Sequence, residues 1–167
     1  MDASNIKGLE QHTEHVRPEW VDYNGHMNVA YYTLVFDHAS DLFLEQIGLN
    51  QEFRDASECS VFVVEAHTTY QKEVMEGNML SVSTQILDFD AKRIHLFHRM
   101  ISDGSDDTVA TNELMLLYVS MKSRRTALMP EKISTRLQTV HTNQKALPRP
   151  VQAGRSIQIF RKNIALS

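Results

Sequence analysis

Residues 28–48 read Asn-Val-Ala-Tyr-Tyr-Thr-Leu-Val-Phe-Asp-His-Ala-Ser-Asp-Leu-Phe-Leu-Glu-Gln-Ile-Gly. Apolar side chains recur here every three or four positions, which is the spacing of one face of an α-helix. They are Tyr32, Val35, Phe36, Ala39, Phe43 and Ile47. Asn28 is a suitable N-cap and Gly48 a suitable stop. The pattern therefore predicts one long helix over residues 28–47.

The period of the apolar pattern changes to two after a polar connection over residues 50–58. Four alternating runs follow, separated by turn-forming segments, at residues 61–70, 80–86, 92–101 and 108–121. A mixed segment at residues 12–17 predicts one strand before the helix, and Pro130 opens a second, short helix to about residue 140. Strands joined by short turns are antiparallel neighbours, so this order predicts an α+β fold.

Composition limits the classes of function open to the chain. Its 167 residues correspond to one domain at roughly 100–200 residues per domain. The single cysteine, Cys59, excludes an intramolecular disulfide and a thiolate-rich zinc site. The formal charge of −4 argues against nucleic-acid binding and against a polybasic membrane anchor.

Membrane insertion is not expected either. The longest strongly apolar run, residues 114–119, is far shorter than the ~20 residues that span a bilayer. The first residues lack the basic and apolar regions of a secretion signal. We therefore expect a cytoplasmic protein with neither nucleic acid nor membrane as a partner.

Residues 22–28 read Asp-Tyr-Asn-Gly-His-Met-Asn and form the densest cluster of reactive and turn-forming residues in the chain. They lie just before the predicted helix, where free backbone N–H groups and the positive end of the helix dipole favour anions. Asp22 supplies a carboxylate, and Gly25 lets the backbone approach a ligand. Such a site suits acyl transfer without a Ser-His-Asp triad. The alternative is a plain capped turn, since Asp, Asn and Gly favour turns with or without a function.

This segment, followed by Tyr31, Tyr32 and a long helix, resembles the acyl-CoA thioesterases of the hotdog fold, in the 4-hydroxybenzoyl-CoA thioesterase-like superfamily. The resemblance extends over residues 12–125. Other segments that carry it are the strand 62–70, the turn Gly77-Asn78, and residues 84–87 and 92–98. The last two segments are similar to the thioesterase domains associated with carnitine dehydrogenase and with betainyl-CoA hydrolysis.

The resemblance implies a hotdog fold, in which an antiparallel sheet of five to six strands wraps one long helix. We assign this domain to residues 1–129 and expect residues 130–167 to form a short helix and a tail packed on it. The resemblance also implies a homodimer with active sites at the subunit interface, or a tetramer or hexamer built from dimers. Asp22 would be the catalytic carboxylate, and backbone N–H groups between Gly25 and Val29 would polarise the thioester carbonyl.

The chemistry of thioester hydrolysis agrees with this implication. The leaving thiol has a pKa of about 8.5 by analogy with cysteine, so it departs without much acid assistance. A carboxylate and an oxyanion site suffice, with acyl-CoA as substrate and no cofactor or metal. Asp22 either attacks the carbonyl or activates water. The alternatives are an acyl-CoA-binding module without catalysis and an enoyl-thioester hydratase or dehydratase of the same fold.

The remaining candidates surround Asp22 in the sequence or lie on the strands. Catalytic candidates besides Asp22 are Gly25, His26 and Asn28. Substrate-binding candidates are Trp20, Tyr23, Asn24, Met27, Tyr31, Glu65 and His67. Candidates for the coenzyme A phosphates are Arg93, Lys122, Arg124 and Arg125. For each of them packing, capping or a solvated surface is the alternative role. Aromatic rings near the motif would also suit a quaternary ammonium group such as that of betaine.

Side-chain alternation in the strands bears on two further candidates. In the first run the more apolar face carries Phe62, Val64, Ala66, Thr68 and Tyr70, and the other face places Glu65 beside His67. These two are predicted to face solvent or a partner subunit, with Glu65 as a second carboxylate across the dimer as the functional alternative. His95 and His98 resemble a metal pair, but residues three apart on a strand point to opposite faces. We therefore predict no metal site.

Overall fold

The computed structural model describes residues 8–103 and 106–159. It contains three α-helices and six β-strands in these residues, along with a single 3-10 turn at Pro18–Trp20. The helices are α1 (Val29–Gln46), α2 (Gln51–Ser57) and α3 (Glu131–Gln144). The strands are β1 (His12–His15), β2 (Cys59–Tyr70), β3 (Met79–Phe89), β4 (Arg93–Ser102), β5 (Thr108–Ser120) and β6 (Arg125–Thr126).

The strands form one antiparallel sheet in the order β1-β3-β4-β5-β2, with β6 paired to the end of β5. The apolar stripe of α1 packs on one face of this sheet, with Val35, Phe36 and Phe43 almost fully buried. Burial of this stripe is the main apolar contribution that α1 makes to stability. The α+β class and the hotdog arrangement predicted from the sequence are confirmed.

Helix α2 is a correction, because residues 50–58 were expected to be a polar connection. Asn50 caps this helix by accepting a hydrogen bond from the Phe53 N–H at 2.9 Å. None of its seven residues is buried, so the segment has no apolar stripe to reveal it in the sequence. Helix α3 likewise continues beyond residue 140, to Gln144.

A β-bulge in β2 is a second correction. Val63 pairs with Leu116, whereas Glu65 pairs with Met115, so one extra residue lies between them. The bulge reverses the alternation, because a shift of one residue moves each side chain to the opposite face. Phe62 consequently lies on the face opposite to Ala66, although the sequence pattern places both on one apolar face.

Helix α3 belongs to the same core as α1, since Ile133, Leu137 and Val140 lie in one apolar cluster with Phe43 and Ile47. The assignment of a domain boundary at residue 129 remains a prediction.

The end of α3 also protects an edge of the sheet. Strand β1 stops opposite Val82, and beyond that point the Gln144 side chain takes its place. Its Oε1 accepts from the Ile86 N–H at 2.8 Å, and its Nε2 donates to the Thr84 carbonyl at 2.9 Å. These bonds satisfy backbone groups that a bare strand edge leaves free.

The two histidines of β4 point to opposite faces, as predicted. His95 lies 2.7 Å from the Glu113 carboxylate. The fully buried His98 lies between Ser40 of α1 and Thr84 of β3, each at 3.0 Å. These two side chains therefore do not converge on a shared metal ion. Among the described residues, no helix is both long and apolar enough to cross a membrane.

Candidate active site

The segment from Val21 to Met27 folds into a tight loop directly before α1. A single β-bridge joins Val21 to Met27. Inside it the Asp22 N–H donates to the His26 carbonyl at 3.2 Å, and the Gly25 N–H donates to the Asp22 carbonyl at 3.0 Å. Gly25 has φ +83°, a conformation that side chains with a Cβ rarely adopt. The glycine is therefore required by the shape of the turn.

The Asp22 carboxylate is held by one donor on each oxygen. Its Oδ1 accepts from the backbone N–H of Asn24 at 2.8 Å, and its Oδ2 accepts from Nδ2 of Asn28 at 3.2 Å. Asn28 is also the N-cap of α1, because its Oδ1 accepts from the Ala30 N–H at 3.0 Å. Asn28 thus caps the helix and donates to Asp22 at the same time, while a catalytic role for it stays a prediction. Hydrogen bonds to both oxygens fix the direction of this carboxylate.

Most backbone N–H groups between Gly25 and Val29 already have an acceptor, so few of them are available to a substrate carbonyl. Three N–H groups between Gly25 and Val29 are already used: Gly25 donates to Asp22, Met27 to Val74 and Asn28 to Trp20. Val29, the first residue of α1, has no acceptor within its own helix. Val29 is an exposed residue, and it lines the cavity that adjoins this end of the helix. Two of the five donors expected from the sequence remain, those of His26 and Val29, and only Val29 is at the start of a helix. Its N–H is therefore the better candidate for a developing oxyanion.

A cavity of about 220 Å³ adjoins this helix end. Its lining residues come from the loop, from α1 and from the segment after β2: His26, Met27, Val29, Tyr32, Tyr70, Gln71, Lys72 and Glu73. The rings of Tyr32 and Tyr70 meet edge to face, with centroids 5.3 Å apart. The volume is several times that of one water molecule, so it has room for a small acyl group.

Glu73 is the one acidic residue among those that line this cavity. Lys72 pairs with Asp107, which offsets the charge of its ammonium group. Glu73 is mostly exposed, with His26 Nε2 at 3.7 Å from its Oε1. Burial, followed by the charge of Glu73, raises the pKa of Tyr32, whose hydroxyl donates to the Lys72 carbonyl at 3.3 Å. His26 therefore contacts Glu73, whereas Asn24 and Asn28 orient Asp22.

The aromatic residues named from the sequence fall into different environments. Trp20 is buried and stacks on Tyr31 at 5.2 Å, with the Arg17 guanidinium 5.0 Å from its ring centroid. Tyr23 is 97% exposed at the tip of the loop. Trp20 and Tyr31 thus support the loop from within, whereas Tyr23 is free to contact a ligand. The side chain of Asn24 is also exposed, and its backbone N–H is what binds Asp22.

Glu65 and His67 lie on the face of the sheet away from α1, opposite Met115 and Glu113. The structure does not bring them to Asp22 of the same chain.

The cation candidates lie at the far end of the sheet from the loop. Tyr70, next to the cavity, pairs with Ala110 at the start of β5, whereas Arg125 pairs with Ser120 at its end. Ten residues of strand correspond to about 33 Å. Arg93 is close to that far end as well, opposite Leu117, and it is held by Asp90. These cations, with the exposed Lys122 and Arg124, are therefore remote from Asp22 of their own chain.

Four consecutive residues of the cavity were not singled out as site residues from the sequence: Tyr70, Gln71, Lys72 and Glu73. They follow an alternating strand and carry no motif. Only the pairing of β2 with β5, together with the hydrogen bond from Met27 N–H to the Val74 carbonyl, brings this segment to the loop. The carboxylate of Glu73, just after the end of a strand, is the one signal in the sequence that could have marked this segment.

Comparison with known proteins gives consistent relationships. A sequence model of the thioesterase-like superfamily matches residues 16–137, which include the Asp22 loop, α1 and strands β2 to β6. The chain is 42% identical over 142 residues to the betainyl-CoA thioesterase of Pseudomonas aeruginosa, covering 85% of this chain and 89% of that protein. It is 39% identical to the L-carnitine dehydrogenase/betainyl-CoA thioesterase of Agrobacterium fabrum, covering 92% of this chain but 31% of that longer protein.

A solved structure agrees over nearly the whole chain. A Staphylococcus aureus protein in complex with CoA superposes with a TM-score of 0.87 at 33% identity. The superposition covers 95% of this chain and 99% of that one. The similarity in fold thus includes the loop, the long helix and the sheet described above.

Proposed function

This chain belongs to the thioesterase-like superfamily and is an acyl-CoA thioesterase, and we propose that the acyl group it removes is the betainyl group. The observation that carries the proposed mechanism is the Asp22 carboxylate, which Asn24 and Asn28 hold beside the N-terminal end of α1, where Val29 is the first helical residue. A base and an oxyanion donor at one helix end are what hydrolysis of an activated ester requires.

The reaction proceeds by addition to the thioester carbonyl. Asp22 either accepts a proton from water as its oxygen attacks, or attacks directly to give an anhydride that water then opens. The Val29 N–H stabilises the negative oxygen that forms. When the tetrahedral adduct collapses, the carbon–sulfur bond breaks and coenzyme A leaves as a thiolate that takes up a proton. This step gives the free acid in the first route, and in the second it gives the anhydride that water then opens to the acid. Both routes use the same ionised carboxylate in the same position.

The residues that line the cavity beside Val29 favour a cationic acyl group. A betainyl group carries its quaternary ammonium one carbon away from the carbonyl. If that carbonyl accepts from the Val29 N–H, the cation would lie close to Val29, which lines this cavity. There it would meet the rings of Tyr32 and Tyr70 and the carboxylate of Glu73. Aromatic faces attract quaternary ammonium groups, and a nearby carboxylate adds charge attraction. The names of the relatives in Pseudomonas and Agrobacterium favour the same acyl group.

A homodimer that pairs through β2 is part of the proposal. Strand β2 is at an edge of the sheet and exposes Phe62, Val63 and Val64, of which Val64 is 55% exposed. An exposed apolar edge is a template for pairing with a second chain. Antiparallel pairing about a two-fold axis would bring the Cys59 end of one β2 to the Tyr70 end of the other.

Such pairing would also give the distant cations a role. Arg124 lies over the Phe62 ring, with its guanidinium carbon 5.6 Å from the ring centroid. In the dimer it would be distant from the Asp22 loop of its own chain but close to that of the partner. The coenzyme A phosphates would then be bound by the partner subunit. Higher assembly and a cytoplasmic location remain predictions from the sequence.

A thiol-release assay with two matched substrates tests the proposed acyl group. Betainyl-CoA and 3,3-dimethylbutyryl-CoA differ in one atom, which is a quaternary nitrogen in the first and a quaternary carbon in the second. We expect kcat/KM to be at least about 10-fold higher for betainyl-CoA, which corresponds to about 1.4 kcal/mol. Equal values, or a preference for aromatic or long-chain acyl-CoA, would contradict the proposal. In a separate assay with an enoyl-CoA, loss of the enoyl absorbance without thiol release would indicate a hydratase.

A further inference from the structure

Three potential metal ligands converge between β1 and α1, outside the site described above. His12 and Glu14 are two residues apart on β1, so their side chains share a face, and His38 of α1 lies opposite them. His38 Nδ1 is 2.7 Å and His12 Nε2 is 3.2 Å from the same carboxylate oxygen, Oε2 of Glu14. One ligand atom from each residue lies within 4.8 Å of the other two.

The chemistry of this cluster suits a divalent transition metal. Two imidazole nitrogens and one carboxylate oxygen are a common set of three protein ligands for zinc, with water in the fourth position. The side chains are between 12% and 35% exposed, so an ion can enter from solvent. Two imidazoles and one carboxylate carry one negative charge, which a divalent cation offsets.

The second oxygen of Glu14 has its own partner, as ligating carboxylates usually do. Arg17 Nη2 donates to Oε1 at 2.8 Å, which leaves Oε2 directed at the two histidines. Arg17 also lies over the ring of Trp20, and Trp20 stacks on Tyr31 at the start of α1. The cluster is therefore connected by direct contacts to the loop that holds Asp22.

Hydrogen bonding alone is the competing explanation. Partial burial raises the pKa of Glu14, but hydrogen bonds from His38, His12 and Arg17 outweigh it and lower this pKa overall. A histidine–carboxylate cluster of this kind is stable without metal. In this cluster one oxygen of Glu14 contacts two imidazole nitrogens. A bound ion would be ligated by the same three atoms.

We propose that His12, Glu14 and His38 form a binding site for a zinc-class divalent cation that fastens β1 to α1. Strand β1 is only four residues long and is an edge of the sheet. The ion would link this strand to α1, the helix whose N-terminal end adjoins the Asp22 loop. Because the ligands come together only in the folded chain, bound metal would stabilise the fold. The expectation of no metal, drawn from the sequence, considered only His95 and His98 as a pair.

Metal binding is tested on the full chain after treatment with EDTA and removal of the chelator. Zn²⁺ is titrated in competition with a chromophoric chelator, and Co²⁺ is used separately because tetrahedral nitrogen and oxygen ligation gives visible absorption. We expect about one equivalent bound per chain and an increase in melting temperature that EDTA reverses. Binding should weaken about 100-fold or more in His38→Gln and in Glu14→Gln, since loss of even an outer-shell partner costs about 10–100-fold.

The matched control is His15→Gln, because His15 is on the same strand but outside the cluster, with its Nδ1 3.3 Å from the Gly77 carbonyl. It should bind Zn²⁺ like the wild type. A second measurement needs no variant: Zn²⁺ should protect His12 and His38 of the wild type from diethyl pyrocarbonate, as mapped by mass spectrometry. The proposal is overturned if the wild type binds no stoichiometric Zn²⁺, if the cluster variants bind it equally well, or if protection falls on other histidines.

Discussion

The Nδ2 atom of Asn28 lies 3.2 Å from Oδ2 of Asp22, while the Oδ1 atom of the same asparagine caps α1. One side chain therefore connects the proposed catalytic carboxylate to the first turn of α1, where the Val29 N–H is the proposed oxyanion donor. The carboxylate and the oxyanion donor are fixed relative to each other because both depend on Asn28.

The variant Asn28→Asp separates these two roles. Aspartate caps a helix as well as asparagine does, so we expect the free energy of unfolding to stay within about 0.5 kcal/mol of the wild type. The donor to Asp22 is lost, and a second negative charge disfavours the ionised form of that carboxylate. We expect kcat to fall by about 10-fold or more, with the acid limb of the pH–rate profile moved to higher pH.

The control for this variant is Asn50→Asp, because Asn50 caps α2 in the same way through the Phe53 N–H, away from the Asp22 loop. It should change neither kcat nor the profile. Unchanged kcat in Asn28→Asp would show that the hydrogen bond to Asp22 does not serve the reaction.

Glu73 is expected to set the preference for a cationic acyl group. In Glu73→Gln the carboxylate is lost but the shape of the cavity is kept, so the attraction for a quaternary ammonium weakens. We expect the ratio of kcat/KM for betainyl-CoA to that for 3,3-dimethylbutyryl-CoA to fall about 3- to 10-fold. Tyr70→Leu should lower the same ratio through loss of the aromatic face. An unchanged ratio in both variants would place the cation elsewhere.

The exposed edge of β2 is expected to form the dimer. Val64→Arg places a charge in the middle of this apolar edge, where burial against a second chain would be costly. We expect sedimentation velocity to change from a dimer to a monomer at micromolar concentration, with thiol release reduced in parallel. Leu128→Arg is the control, since Leu128 is 67% exposed but outside β2. A dimer that persists in Val64→Arg would show that the chains associate through another surface.

His98 is expected to make stability depend on pH. Ser40 donates its hydroxyl hydrogen to the Phe36 carbonyl, so Nε2 of His98 donates to Ser40 and Nδ1 accepts from Thr84. Burial of the neutral ring lowers its pKa to about 3. The unfolded chain takes up this proton first, so the stability that His98 contributes is complete above about pH 6.5 and is lost as pH falls toward 3.

Urea unfolding between pH 7 and pH 4 measures this effect. His98 should contribute a slope of up to about 1.4 kcal/mol per pH unit within that window. His98→Gln should lower stability at pH 7 and flatten the slope relative to the wild type, whereas His15→Gln, at an exposed histidine, should keep the wild-type slope. Parallel curves for His98→Gln and the wild type would contradict this assignment.

Local patterns made much of the fold predictable. The stripe from Tyr32 to Ile47 and the alternating strands require only neighbours in sequence, and the structure agrees with both. The bulge after Val63 was not predictable in this way, because one extra residue reverses a face without changing composition. Helix α2 was missed because it has no buried face.

The same distinction applies to the site. Asp22, Gly25 and Asn28 lie within seven residues, so their contacts followed from a local motif. The approach of Tyr70 and Glu73 to the loop, and of His38 to Glu14, depends on how distant segments pair and pack. The remoteness of Arg124 from Asp22 likewise follows from strand direction, which a cluster of basic residues does not reveal.

The most direct test of the central claim is the turnover of Asp22→Asn. This change keeps the size of the side chain and removes the carboxylate charge. Thiol release from betainyl-CoA should fall by about 100-fold or more, since a positioned base or nucleophile contributes about 10²–10⁴-fold, while circular dichroism and the melting temperature stay close to the wild type. Wild-type turnover in this folded variant would contradict the assignment of Asp22 as the catalytic carboxylate.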